Sequence, residues 1–266
     1  MDRATITRWL PTGVKRRLRP VIAPAAYALE RRRLDRLYAD FVRRGDLVFD
    51  IGAAEGHHSA SFRRLGARVV AVEPQPRFVQ VLERRFASDD RVSVDPRGAG
   101  AGSGRLELAV SIGDPELTTF ALDRMKAGRY HDRSWEERVE VEVTTLDALI
   151  ETHGAPAFVK IDVEGFEPEV LAGLSKAPAA LSFEFGTDRL DAVPVCVDRI
   201  AALGRFEFNH SWARRHELDA GGWVDGNALL ERLRSVGTTN RHGGGDVFAR
   251  AVGLVGDEGA ERGVGR

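Results

Sequence analysis

A single cysteine, Cys196, leaves no intramolecular disulfide to form, so the fold must rest on its core and a reducing, cytoplasmic setting is the default. Long hydrophobic runs are also missing: the longest near the start, Val21 to Leu29, is broken by Pro24 and falls far short of the ~20 residues that cross a bilayer. A secretory signal fits poorly, because that run leads into Glu30, Arg31, Arg32 and Arg33, where small cleavage-site residues would be needed. Excess charge of one sign is absent, with 39 Lys and Arg against 40 Asp and Glu, which excludes a global field that would gather nucleic acid. The charge is nevertheless unevenly spread, since Met1 to Gly45 holds twelve Arg or Lys against four Asp or Glu. Such a basic leader could meet an anionic membrane surface peripherally, or be a solvated extension.

Present in quantity is apolar content, 43% of 266 residues, enough for one large core. Leu34, Leu37, Tyr38 and Phe41 recur at helical spacing and predict a helix running to Gly45. Beyond it, short apolar strands alternate with helices. Asp46 to Ile51, Arg68 to Glu73 and Arg91 to Asp95 read as strands, with a helix opening near His57 or His58 and another over Gln75 to Phe86. Further strands are expected at Arg105 to Ser111, Arg138 to Thr144, Ala157 to Asp162, Leu181 to Phe185, from Phe206, and at Asp246 to Arg250. Helices are expected at Leu146 to Ile150, Glu167 to Leu174, Asp198 to Leu203 and around Leu229 to Leu233. The pattern is α/β, a largely parallel sheet covered on both faces with its ligand at the carboxyl ends of the strands. It divides into a basic N-terminal helical extension over 1–44, one domain over 45–251, and a flexible Gly-rich tail over 252–266.

The most informative stretch is Val48 to Gly56, an apolar strand that runs through Asp50 into a glycine-bounded turn. Glycine there would let a ligand approach the backbone. A dinucleotide fingerprint requires glycines at the third and sixth positions from Gly52, which hold Ala54 and His57, so NAD is disfavoured. Glu73 closes the second strand 21 residues after Gly52, where a carboxylate can accept both hydroxyls of a ribose; otherwise it caps the turn at Pro74. Asp95 could approach an adenine ring, or serve a turn before Pro96.

Val48-Phe-Asp-Ile-Gly-Ala with Gly56, Val72-Glu-Pro-Gln-Pro76, Thr145-Leu-Asp147, Lys160-Ile-Asp-Val-Glu-Gly-Phe-Glu167 and Leu171-Ala-Gly-Leu174 together resemble the FkbM-type methyltransferase family. The resemblance runs from about Gly45 to Arg250 and is most specific in the Lys160 to Glu167 segment. It implies a Rossmann-like class I methyltransferase fold, a seven-stranded mostly parallel sheet with an antiparallel last strand, and S-adenosyl-L-methionine as methyl donor. It also implies O-methylation of a natural product or sugar. Carried over by position, Asp50 and Gly52 would shape the methionine end of the donor site and Glu73 would hold the ribose. Ala53, Gly56, Pro74 and Asp95 complete the expected donor-binding set. Ala54 departs from the family, which commonly has Asn there; that keeps open a different function, a non-catalytic nucleoside-binding module docked to a membrane or biosynthetic partner.

Asp162, Glu164 and Glu167 crowd the end of one buried strand, where an α/β sheet exposes its reactive groups. A partly desolvated carboxylate there could take the acceptor's proton or order its hydroxyl, so Asp162 and Glu164 are the first choices for that role. His58 competes for it, and Glu184 could complete the acceptor pocket or merely end its strand. Glu167 is expected to stabilise a helix N-terminus, and Lys160 to pair with Asp162 because strand alternation puts them on one face. The carboxylates could instead bind Mg²⁺, but no second acidic group has an interpretable spacing to the first, so no metal ligands are assigned. Gly113 to Glu137, and the segment between Trp212 and Trp223, have the length and aromatic content of substrate-covering loops.

Overall fold

The structure, a computed structural model, describes residues 28–128, 130–213, 215–237 and 243–253. The basic leader up to residue 27, and the tail beyond its first two residues, lie outside the described residues. The first helix, α1, spans 28–38 and not the longer run expected, and turns then carry the chain into β1 (Leu47–Ile51). There follow α2 (His57–Arg64), β2 (Arg68–Val72), α3 (Pro76–Arg85), β3 (Val92–Asp95), β4 (Gly98–Ala99), β5 (Gly104–Val110) and α4 (Leu122–Ala127). The second half runs β6 (Glu137–Thr144), α5 (Leu146–His153), β7 (Phe158–Ile161), α6 (Glu167–Ala172), β8 (Ala180–Gly186), α7 (Ala192–Leu203), β9 (Phe206–Trp212), α8 (Gly226–Gly237) and β10 (Gly244–Ala251). Among the described residues no helix is long and apolar enough to cross a membrane.

Seven strands form one sheet in the order β3-β2-β1-β7-β8-β10-β9, with β10 antiparallel to both neighbours and the other pairings parallel. This is the Rossmann-like class I methyltransferase arrangement, and its order reverses between β1 and β7, the point where such sheets open a crevice. The strands expected around Leu106 and Val141 stand apart from it. β5 and β6 pair antiparallel and, with the two-residue β4, make a separate three-stranded sheet.

Strand alternation sorts the core onto the two faces of the large sheet. Phe49, Ile51, Val159, Ile161, Leu181 and Phe183 pack under α5, α6, α7 and α8. Val48, Val69, Phe158, Ala180 and Phe248 point the other way, against Leu34, Leu37 and Tyr38 of α1 and Phe62 of α2. At ~1.5–3 kcal/mol per large buried side chain, the α1 residues anchor that helix firmly to the sheet. The same alternation has a chemical consequence. Asp50, Lys160 and Ser182, each two residues beyond that apolar layer, lie side by side in register on the α1 face toward the carboxyl ends of the parallel strands, and Asp246 of antiparallel β10, two residues before Phe248, is paired with Glu184.

Candidate active site

A cavity of about 280 Å³ opens where β1, β2 and β7 end. Its floor is the turn Gly52 to Glu55, one wall is Glu73, Pro74 and Phe78, and the opposite wall is Asp162 to Glu164. Thr118, Thr119 and Phe120 cover it, held in place by the small sheet: Thr119 bridges to Ala109 of β5, and Trp135 donates its ring N–H to the Leu117 carbonyl at 2.8 Å. The first of the two expected covering loops is therefore on the ligand side. The second lends the cavity no lining residue among those described: at its ends Trp212 packs edge-on against Phe185, and Trp223 meets Phe41 edge-on under the Arg250 guanidinium.

The turn is built by crowding. Gly52 has φ 79°, and a Cβ there would lie 1.8 Å from the carbonyl oxygen of Asp162, so the junction of β1 with β7 itself requires a glycine on this stretch of the cavity lining. Gly56 has φ 73°, and a Cβ would meet Leu82 and Phe86; it packs beneath the turn and off the cavity wall. Between them Ala54 holds φ 46°, a conformation that asparagine and glycine tolerate better than alanine. Ala54→Asn is therefore expected to raise stability by about 0.5–1 kcal/mol, measured by urea unfolding, and a loss of stability would contradict this assignment of strain.

Glu73 is the best-placed acidic group. One carboxylate oxygen accepts the Ala54 backbone N–H and the other that of Gln75, each at 2.8 Å, which fixes the carboxylate on the cavity wall. Burial pushes its pKa up to about 7, against the lowering by those two backbone donors. Gln75, not anticipated from sequence, also ties the covering loop down by donating to the Pro115 carbonyl at 3.1 Å.

Two other expected donor-binding residues stand back from the cavity. Asp50 is buried under the turn and accepts a hydrogen bond from the Ser59 hydroxyl at 2.5 Å; burial raises its pKa, and Lys160 opposes the rise. Asp95 is gripped by Arg97 at 2.6 and 2.8 Å, so its carboxylate closes a local turn. Gly52, Ala53, Glu73 and Pro74 do line the cavity.

Opposite Glu73 the expected Lys160 pair is present: the ammonium, 1% exposed, lies 2.7 Å from Asp162 and 3.7 Å from Asp246. Burial alone would depress this amine, but Asp162 and Asp246 hold its pKa well above the usual lysine value. Glu164 sits at φ 52° with its carbonyl accepting the Thr119 hydroxyl at 2.8 Å. Glu167, at the first turn of α6 beside Pro168, accepts the backbone N–H groups of Val163 and Gly165 and so closes the turn between them. His58 lines the cavity with its Nδ1 2.7 Å from the Tyr38 hydroxyl; burial, then Lys160, lowers its pKa well below the usual histidine value. It is a neutral ring at physiological pH. His57 is exposed and lies 3.3 Å from Glu55.

Strand pairing supplies what sequence spacing did not disclose: Glu184 of β8 comes up beside Asp162 and Glu164, with one oxygen of each of the three within 4.8 Å of the others. The trio has the hard-oxygen character and separation that a divalent cation would accept. Burial, then Glu164 and Asp162, raises the Glu184 pKa well above the carboxylate range.

The fold and this geometry agree with the sequence comparisons. The methyltransferase FkbM domain model matches residues 50–202. The chain belongs to the FkbM methyltransferase family. It is 30% identical over 152 residues to the hexuronic acid methyltransferase AglP of Haloferax volcanii, a match covering 56% of this chain and 58% of that relative. The chain thus spans well under two thirds of the curated relative's length. Among solved structures, it is similar to the precorrin-6y C5,15-methyltransferase of Geobacter metallireducens, with a TM-score of 0.41 and 10% identity over 85% of this chain and 87% of that one. It is also similar to an O-methyltransferase of Thermotoga maritima, with a TM-score of 0.38 and 14% identity over 79% and 61%.

Proposed function

We propose that this FkbM-family protein is an S-adenosyl-L-methionine-dependent O-methyltransferase acting on a hydroxyl of a glycan or small molecule. The observation that carries this is the pairing, across one cavity, of a fixed carboxylate at the end of β2 with a carboxylate turn at the end of β7. Glu73, with both oxygens already aimed by backbone donors, has lone pairs left for the two ribose hydroxyls. Phe78, Pro74 and Leu108 offer apolar walls for a purine, and the Thr118 hydroxyl, buried on the covering side without a partner among the described residues, offers a polar contact. When bound, the donor supplies an electrophilic methyl group on a sulfonium. Among the described residues the walls carry Glu55, Glu73, Glu116, Asp162 and Glu164 and no Lys or Arg, a negative surround suited to a cationic donor and a neutral reacting hydroxyl.

The protein's own task is alignment and removal of one proton. Asp162, tied to Lys160, is the better acceptor for orienting the hydroxyl. Glu164, beside it on the wall, takes the proton as the new C–O bond forms and the methyl–sulfur bond breaks. His58, with its lowered pKa, is a poor base and is assigned to the wall. A sugar acceptor accords with the sugar acid named for AglP.

Glu73→Gln tests the donor site. Calorimetric affinity for S-adenosylmethionine at pH 8 is expected to fall by about 1–3 kcal/mol through loss of charged hydrogen bonds. In the wild type the affinity should weaken as pH drops below about 7, where Glu73 takes up a proton, and that dependence should vanish in the variant. Unchanged affinity would remove Glu73 from the donor site. Transfer of labelled methyl to a panel of glycans and polyketides completes the test, since donor binding without turnover on any acceptor would favour the non-catalytic module.

A further inference from the structure

A second, smaller cavity of about 110 Å³ lies across the Glu164–Gly165 turn from the first; its charged lining is two guanidinium groups, Arg124 and Arg189, among the carboxylates of Glu167, Glu184, Asp188 and Asp191, with Gly165 and Gly186 between them. Glu184 belongs to its wall, and one of its oxygens lies within 4.8 Å of those of Asp162 and Glu164 on the wall of the larger cavity. The two guanidinium groups differ sharply. Arg124 is consumed by the protein, with Glu169 at 2.7 and 2.8 Å and the Gly165 carbonyl at 2.8 Å.

Arg189 is not. Its side chain is 8% exposed, yet among the described residues its hydrogen bond goes to the Met125 sulfur at 3.2 Å, and its nearest carboxylate, Asp188, is 4.0 Å away. The Tyr130 ring, 5.9 Å from its centre, adds a weak cation–π contact. Five N–H donors with a thioether and a distant carboxylate are far from satisfied, and a charge removed from water in this way requires an anion beside it. The cavity provides the room: a Cβ at Gly186 would sit 3.3 Å from the guanidinium carbon and one at Gly165 3.8 Å from Nε, so small residues keep the group uncovered.

We propose that Arg189 anchors a subsite for an anionic substituent of the acceptor, a carboxylate or a phosphate, on the far side of the Glu164–Gly165 turn from the donor. The planar fork of the guanidinium matches either group with two parallel hydrogen bonds. Glu184 stands on the same wall as Arg189, beside Asp162 and Glu164. An acceptor spanning both cavities places its neutral hydroxyl at Asp162 and Glu164 and its anion at Arg189. Among the described residues the walls of the larger cavity carry no Lys or Arg for that role. The inference rests on the methyl-transfer assignment.

The test is calorimetry on the full chain saturated with S-adenosylhomocysteine, with methyl glucuronide, glucose 6-phosphate and methyl glucoside as probes. At least one acidic probe is expected to bind tenfold or more tightly than the neutral one, and which acid wins distinguishes carboxylate from phosphate. Arg189→Gln should erase the preference and Arg189→Lys should retain part of it. In wild-type protein labelled at arginine nitrogen, an Nε–H resonance absent from Arg189→Lys should shift with the acidic probe alone, a readout independent of whether the glutamine variant folds. Equal binding of acidic and neutral probes, or a preference that survives in a folded Arg189→Gln, overturns this inference alone. No binding of S-adenosylmethionine or its product overturns the methyl-transfer assignment together with it.

Discussion

Glu164→Gln is expected to lower kcat for methyl transfer by about 10²–10⁴-fold while leaving donor affinity within about twofold, the signature of a lost proton acceptor. The amide keeps the size and polarity of the side chain and the same backbone conformation at φ 52°, so the turn and the Thr119 contact should survive. Asp162→Asn should behave differently. Its carboxylate is tied to Lys160, so its loss should raise KM for the acceptor and disturb stability as well as rate. Steady-state kinetics in the acceptor at saturating donor separates the two: kcat should fall with KM held in Glu164→Gln, whereas KM should rise in Asp162→Asn. Should the two variants exchange these behaviours, the roles of the two carboxylates are reversed; full activity in Glu164→Gln would exclude it as the base.

Much of this site was legible because strand alternation and strand ends are local features. The Lys160–Asp162 pair follows from two residues on one face, and Glu73 from its place at the end of the second strand. The resemblance in the Lys160 to Glu167 segment pointed to the turn that does line the cavity. What escaped depends on which strands become neighbours. Glu184 reaches Asp162 and Glu164 only through the β7–β8 register, which no spacing along the chain encodes. That β5 and β6 join β4 in a separate sheet was not legible, since alternation in Val139, Val141 and Val143 reports a half-buried strand and says nothing of its partner. The glycine at 52 lines the cavity, but the second constraint on it was not legible, because the Asp162 carbonyl that a Cβ would strike is more than a hundred residues away. For Asp95 the local alternative holds its carboxylate, through an arginine two residues on.

Lys160→Met is expected to destabilise the protein by about 3–5 kcal/mol at pH 7.5 in urea unfolding, because it strips the positive charge from a buried face that also carries Asp50, Asp162 and Asp246. The sign of its pH dependence is distinctive. Burial already raises the pKa of Asp50 and Asp246, and Lys160 restrains both; without it they should rise further, so the folded variant should bind more protons than its unfolded chain. Its deficit relative to wild type should therefore shrink as pH falls toward 5 and these carboxylates become neutral. The wild-type lysine, with its pKa raised above the unfolded value, contributes in full at neutral pH and loses its contribution only in strongly alkaline solution. A constant deficit from pH 5 to 8 would mean that the lysine stem's packing, not its charge, is what the sheet requires. A shrinking one would mean that a single ammonium holds together the charged layer on which the acceptor-facing turn is built.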